Sequence, residues 1–152
     1  MNDVERFRRQ HEDITSKMIE IERLSLSLPN PVVASRCARS LAKLSGLLQV
    51  HLVMEESYFY ANAQRFENPA IIAICKRFQS EIELFRPSFK AFVEQNSVAS
   101  AIDKRPQQFQ ADLLRHFDWL RRRMAREERE LYTSTELALK RRKDAQLATA
   151  SS

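Results

Sequence analysis

Hydrophobic residues recur along this chain at alternating steps of three and four, the spacing that places side chains on one face of an α-helix. The first apolar stripe ends at the motif LPNP, around Pro29 to Pro31, because proline cannot extend a helix. Three further stripes follow, separated by the pair Asn68-Pro69 and by the segment NSVASAIDKRP. The pattern therefore predicts four long helices joined by three connections.

The boundaries of these helices are predicted by caps and prolines. Asn2 or Asp3 caps the first helix, the second covers about residues 32–66, and the third opens at Pro69. Pro106 suits the first turn of the fourth helix, and Pro87 predicts a kink or a break within the third. The apolar pattern fades after the fourth helix, so we expect a bundle over residues 1–142 and a disordered tail over 143–152.

Composition supports a single all-helical domain. One glycine and five prolines in 152 residues leave few places for the tight turns that a sheet protein needs. Short connections between four helices favour antiparallel neighbours. We therefore predict an all-α fold, an antiparallel up-down four-helix bundle.

Charge and cysteine content exclude several classes of protein. The amino terminus is charged and no run approaches the length of a membrane span, so we expect a cytoplasmic protein without a membrane partner. Cys37 and Cys75 are isolated, which predicts reduced core residues. The net charge of +5 arises mostly from RHFDWLRRRMAR and LKRRK, where basic and apolar residues alternate at helical spacing. No nucleic-acid motif accompanies them, so we interpret them as a solvated helix face.

Several ionisable residues lie inside the apolar stripes. In an antiparallel bundle, residues equally far from a connection lie at the same depth. His11 and His51 lie nineteen and twenty-one residues from Asn30, and Glu55 and Glu81 each lie thirteen from Asn68. The same count across the third connection places Arg123, on the fourth helix, at the depth of Glu81. Among the polar residues that face the core, only His116 falls outside the resulting layer. The predicted members of the layer are His11, His51, Glu55, Glu81, Arg123 and Glu127.

The chain also contains an internal repeat. The segments LLQVHLVMEESYFY and WLRRRMAREERELY superimpose at an offset of 72, which matches His51 to Arg123 and Glu55 to Glu127. The same offset matches Tyr60 to Tyr132. Two copies of one helical hairpin are therefore predicted.

The motif H-x-x-x-E places an imidazole and a carboxylate one turn apart on the same helix face. Such pairs on facing helices form the nitrogen and oxygen cages that hold iron or manganese inside bundles. On the motifs QHEDI, HLVMEESYFY and REERELY, nearly the whole chain resembles the hemerythrin-like, or HHE cation-binding, family. The resemblance implies a four-helix bundle with a non-haem di-iron centre for oxygen binding, oxygen or redox sensing, or iron handling.

Position by position, the resemblance implies that His11, His51, Glu55 and Glu127 are metal ligands. The chain departs from the family at two positions, where histidines are replaced by Glu81 and Arg123. Glu81 is retained as a candidate ligand. An arginine cannot ligate a metal, because it stays protonated, but it forms charge-assisted hydrogen bonds with carboxylates.

Two hypotheses therefore remain open at the level of the sequence. In the first, the layer binds one or two non-haem iron ions and dioxygen is a further ligand. In the second, no metal is bound, Arg123 neutralises the carboxylates, and the bundle is a regulatory or protein-interaction module whose partner is unknown. No phosphate loop or nucleophile motif indicates an enzyme, so we expect a binding protein.

Overall fold

The computed structural model describes residues 2–151, and almost all of them are helical. No β-strand occurs within that range, which confirms the predicted all-helical class. The six α-helices are α1 (Asp3–Ser25), α2 (Pro31–Glu55), α3 (Pro69–Gln95), α4 (Ala99–Lys104), α5 (Pro106–Arg126) and α6 (Thr133–Ala150). A π-helix, Glu56–Tyr60, follows α2, a 3-10 turn covers Ala63–Phe66, and a second π-helix, Glu127–Tyr132, joins α5 to α6.

Asparagine caps begin three of the long helices. The Asn30 side chain accepts hydrogen bonds from the amides of Val32 and Val33, and Pro31 occupies the first turn. Asn68 caps α3 in the same way. These caps satisfy amides that have no partner within the helix, and proline loses nothing there because its missing N–H would be unpaired.

Two connections differ from the sequence prediction. The second helix changes from α to π geometry after Glu55 rather than running to residue 66, and the third connection contains α4. Of the kink or break predicted at Pro87, the break does not occur, because α3 continues through this residue. Pro87 lies on the exposed side of α3, where water can satisfy the carbonyl that proline leaves without a donor.

The carboxyl terminus also differs from its prediction. A disordered tail was expected over residues 143–152, whereas α6 continues to Ala150. Residues 139–151 are exposed throughout, as expected for a segment without an apolar stripe. Lysine, arginine, alanine and leucine favour helix even without burial, and no proline or glycine interrupts them. The predicted bundle begins at Met1 and the predicted tail ends at Ser152, and both of these residues lie outside the described range.

Two pairs of neighbouring helical segments run in opposite chain directions. Along α1 and the α5–α6 segment, bonds join Ser25 to Gln110 and Arg8 to Glu136. Along α3 and the same segment, bonds join Ser88 to His116, Arg126 to Glu81 and Arg77 to Glu130. In each pair one residue number falls as the other rises, so these neighbours are antiparallel.

The core consists of two apolar clusters with polar residues between them. One cluster extends from Ile14 and Leu48 toward the α1–α2 connection, and the other surrounds Phe7 and Phe59. Cys37 and Cys75 are buried, unpaired thiols. No helix within residues 2–151 has the length and hydropathy needed to cross a membrane.

Candidate metal centre

Four buried side chains from three parts of the chain meet between the apolar clusters. His11 comes from α1, His51 and Glu55 come from α2, and Glu127 opens the second π-helix. None is more than 4% exposed. One nitrogen or oxygen atom from each lies within 4.8 Å of the others. The structure therefore brings together four of the five residues predicted as ligands.

The distances within this group match the size of one metal ion. His11 Nε2 lies 3.2 Å from His51 Nε2 and 3.1 Å from Glu127 Oε1. His51 Nε2 lies 3.1 Å from Glu55 Oε1. Two ligand atoms that each bind one ion at about 2.1 Å, at right angles to one another, are about 3 Å apart.

Outward contacts of the two imidazoles determine which nitrogen faces the group. The Gln10 amide nitrogen donates to Met54 Sδ, which leaves Gln10 Oε1 to accept from His51 Nδ1 at 2.7 Å. His11 Nδ1 likewise lies 3.3 Å from Glu128 Oε1. Acceptors therefore hold the proton on both Nδ1 atoms, and the two Nε2 lone pairs face one another. Such convergence requires a proton or a metal ion between them.

Two carboxylate oxygens within the group lack hydrogen bonds. Glu55 Oε1 and Glu127 Oε2 are buried without a hydrogen-bond partner among the described residues. Each has an ion-pair partner instead, because Glu55 Oε1 lies 3.1 Å from His51 Nε2 and Glu127 Oε2 lies 3.4 Å from Arg123 Nε. Burying a charged oxygen without a hydrogen bond is costly, and a metal ion bound at Glu55 Oε1 would offset that cost. The donor set of two imidazoles and two carboxylates therefore fits a metal ion.

Burial and mutual charge shift the pKa values of the same groups. Burial and the nearby charge of Glu127 raise the pKa of Glu55 to about 7. Burial opposes the charge of His51, but Glu55 and Glu127 outweigh it and raise the pKa of His51 to about 10. Burial also opposes ionisation of Glu127, yet hydrogen bonds hold its pKa well below the usual range. Without a metal, a proton on His51 therefore neutralises part of the negative charge.

Arg123 fills the other half of the layer. It is 3% exposed, and its Nη1 donates to the Phe78 carbonyl at 2.8 Å while Nη2 donates to the Tyr60 hydroxyl at 2.7 Å. Its Nε lies 3.4 Å from Glu127 Oε2, and its guanidinium lies 4.4 Å from the centre of the Phe78 ring. Arg123 is therefore a buried cation beside Glu127.

The structure places Glu81 outside the group of ligand atoms, which corrects its predicted position. Its side chain is 31% exposed, and its two oxygens lie 3.0 and 2.9 Å from the Arg126 guanidinium. Arg123 lies 3.5 Å away on the inner side. The Arg126 hydrogen bond lowers the pKa of Glu81 and keeps its carboxylate at the rim. The periodicity of α3 could not reveal this, because the partner comes from a different helix.

His116 lies outside the layer, as its sequence position predicts. Its Nδ1 donates to the Asp112 carbonyl at 2.7 Å, and Ser88 Oγ lies 3.1 Å from its Nε2. Both ring nitrogens are therefore satisfied by neighbours on α5 and α3. His116 is a buried histidine with a structural role.

Sequence reasoning missed the tyrosines of the layer, because it did not anticipate the π-helices. Glu55 and Tyr60 are five residues apart, as are Glu127 and Tyr132, and five residues of α-helix separate side chains by about 140°. The wider π-turn brings each tyrosine back toward the face of its carboxylate. The available signal was the repeat itself, which matches Tyr60 to Tyr132.

The chain matches the model of a known protein family. The family model described as hemerythrin HHE cation binding domain matches residues 2–134, and this range includes every residue of the layer. No curated protein and no solved structure matches the chain.

Proposed function

This chain belongs to the hemerythrin HHE cation-binding family, and from that membership we propose that it binds one iron ion in the core of an antiparallel four-helix bundle. The proposed ligands are His11, His51, Glu55 and Glu127. The observation that carries the proposal is the convergence of two imidazole Nε2 atoms, 3.2 Å apart, beside two buried carboxylates that each have an oxygen without a hydrogen bond.

Charge and space favour one ion over two. The guanidinium of Arg123 occupies the side of the layer where a second ion would need ligands. One divalent ion with Arg123 supplies three positive charges against the two negative charges of Glu55 and Glu127, since Glu81 and Arg126 neutralise each other at the rim. A second divalent ion would raise the uncompensated charge from one to three in a dry site, which is costly.

The mixed donor set supports iron, since imidazole and carboxylate together suit non-haem iron, and the family resemblance implies the same metal. When bound, iron would supply one-electron redox chemistry and could take dioxygen as a further ligand. One buried ion per chain is a poor store, so we propose oxygen or redox sensing rather than iron storage, and a binding role rather than an enzymatic one. The two buried reduced thiols suit a cytoplasmic location.

A metal-free alternative is supported by Arg123 and by the proton that His51 retains. In that case the hydrogen bonds of Arg123 to Phe78 and Tyr60 hold the layer together. The bundle would then act as a regulatory or protein-interaction module. The two functions differ in one measurable quantity, the metal content of the folded protein.

Metal analysis of protein purified from iron-supplemented cells tests the proposal. We expect about one iron per chain in the wild type, and near zero in His51→Ala, because each lost ligand of a small site weakens binding strongly. His116→Ala is the matched control, since it also removes a buried histidine but lies outside the layer. Equal, negligible metal in all three proteins would overturn the iron proposal and favour the metal-free alternative.

A further inference from the structure

We propose that the phenol oxygen of Tyr132 is a fifth donor to the bound metal. This inference rests on the proposed function, because it concerns the same ion. It assigns a metal-binding role to a residue outside the histidine and glutamate pattern.

Tyr132 is fully buried, and its hydroxyl lies among the ligand atoms. The hydroxyl donates to Glu55 Oε2 at 2.9 Å and lies 3.1 Å from His11 Nε2. These distances are close to those between the other donors, which are 3.1 to 3.2 Å for the contacts of His11 with His51 and Glu127. An ion bound by His11 and Glu55 therefore has the Tyr132 oxygen as an immediate neighbour.

The ring of Tyr132 is held firmly in place. It stacks on Phe59 at 5.8 Å and on Phe7 at 5.7 Å between ring centres, and the ring of His11 stacks on it at 5.3 Å. Moving the hydroxyl away from the ligand atoms would break this packing. The oxygen is thus positioned before any metal arrives, which lowers the entropic cost of using it as a donor.

Tyr60 is the residue that matches Tyr132 in the other copy of the repeat, and it lies beside Arg123 instead of the proposed metal site. Tyr60 follows Glu55 by five residues through a π-helix, as Tyr132 follows Glu127. Its hydroxyl accepts a hydrogen bond from Arg123 at 2.7 Å rather than facing imidazoles. Tyr60 therefore faces the permanent cation, Arg123, whereas Tyr132 faces the proposed site of a metal ion that can dissociate.

The chemistry of the donor suits oxidised iron. Coordination breaks the phenol O–H bond and forms a metal–oxygen bond, and the proton passes to the buffer without transfer of electrons. An ionised phenol adds one negative charge, which balances the additional positive charge of ferric over ferrous iron. Hard, anionic oxygen donors are preferred by hard, highly charged cations.

The alternative role is positioning, in which Tyr132 only holds Glu55 through its hydrogen bond. Loss of affinity in Tyr132→Phe would not separate the two roles, because hydrogen-bond partners of ligands also change affinity, by about 10- to 100-fold. Visible spectroscopy separates them. A phenolate bound directly to ferric iron gives a charge-transfer band and enhanced tyrosine vibrations in resonance Raman spectra, whereas a hydrogen-bonded phenol gives neither.

The test uses the full chain loaded with ferric iron, with metal content measured in the same samples. We expect the wild type and Tyr60→Phe to show the visible band, and Tyr132→Phe to lose it while retaining metal. Tyr60→Phe is the matched control, because it removes the equivalent phenol of the repeat. If Tyr132→Phe does not fold, ring-deuterated tyrosine in a background carrying both Tyr58→Phe and Tyr60→Phe, where Tyr132 is the one remaining tyrosine, provides the same information through a shift of the Raman bands.

The outcomes distinguish the two proposals. Wild-type protein with about one ferric ion per chain and no phenolate band would overturn the role of Tyr132 and leave the metal site intact. A band that persists in Tyr132→Phe would also overturn it. Failure of the wild type to bind any metal would overturn the proposed function and this inference together.

Discussion

Replacement of Arg123 by methionine removes the buried cation but keeps the volume of the side-chain stem. The substitution leaves the Phe78 carbonyl and the Tyr60 hydroxyl without their donor. It also leaves Glu127 Oε2 without the guanidinium 3.4 Å away. Methionine cannot replace any of these contacts, so the variant isolates the contribution of the cation to folding.

The expected loss is large because the group is 3% exposed. Removing one partner of a buried charge pair costs about 3–5 kcal/mol. A domain of this kind is stable by about 5–15 kcal/mol in total. For a chain of this size, each kcal/mol lowers Tm by about 2–4 °C, so Tm should fall by about 6–20 °C.

The assay is chemical and thermal unfolding of chelator-treated protein, so that bound metal does not contribute. Arg121→Met is the matched control, because Arg121 pairs with Glu22 in a half-exposed position on the same helix. That variant should lose less than about 1 kcal/mol. A loss for Arg123→Met no larger than for Arg121→Met would refute the reasoning, since Arg123 would then not neutralise the layer.

Two further predictions concern the same layer. Arg123→His should raise iron content from about one to about two ions per chain, because it exchanges a cation for a ligand opposite His51; folded protein that still binds one ion would contradict this. The pKa of His51, raised to about 10, implies that a metal displaces a proton below that pH. Metal affinity in chelator competition should therefore rise about tenfold per unit between about pH 8 and 9, and an unchanged affinity would argue against His51 as a ligand. Since a raised pKa stabilises the protonated folded state, this contribution to stability is complete below the unfolded pKa near 6.5 and disappears as pH rises through 10. The Tm of metal-free protein should fall over that interval, and a Tm that stays constant would count against a shared proton on His51.

Much of the fold and all four residues of the ligand group, but not the tyrosines beside them, were predictable from the sequence. Prolines and asparagine caps predicted where α2 and α3 begin, because these signals act within a few residues of the helix end. Counting residues from each connection predicted that His11, His51 and Glu55 lie at one depth. Such counting succeeds because the rise of an α-helix is constant.

The failures have equally definite causes. Glu81 was placed in the layer by its helical phase, but its position is determined by Arg126, a partner 45 residues away. The tyrosine hydroxyls were missed because a π-turn changes the phase of every residue after it, and local composition does not mark that change. Helix in residues 143–150 was missed because the absence of an apolar stripe says nothing about intrinsic helix propensity.

The two π-helices have a consequence for changes in chain length. A π-turn differs from the surrounding α-helix by one additional residue, so deleting one residue within 128–131 should restore continuous α-helix from α5 into α6. Side chains before and after the deletion would keep their relative faces, because five residues of a π-turn and four residues of α-helix each span about one turn. Glu127 and Tyr132 would remain on one face, whereas the same deletion within α5 would rotate all later side chains by about 100°. The tolerance of this segment to a change in chain length is therefore confined to the π-turn, a property that a scan of substitutions alone does not sample.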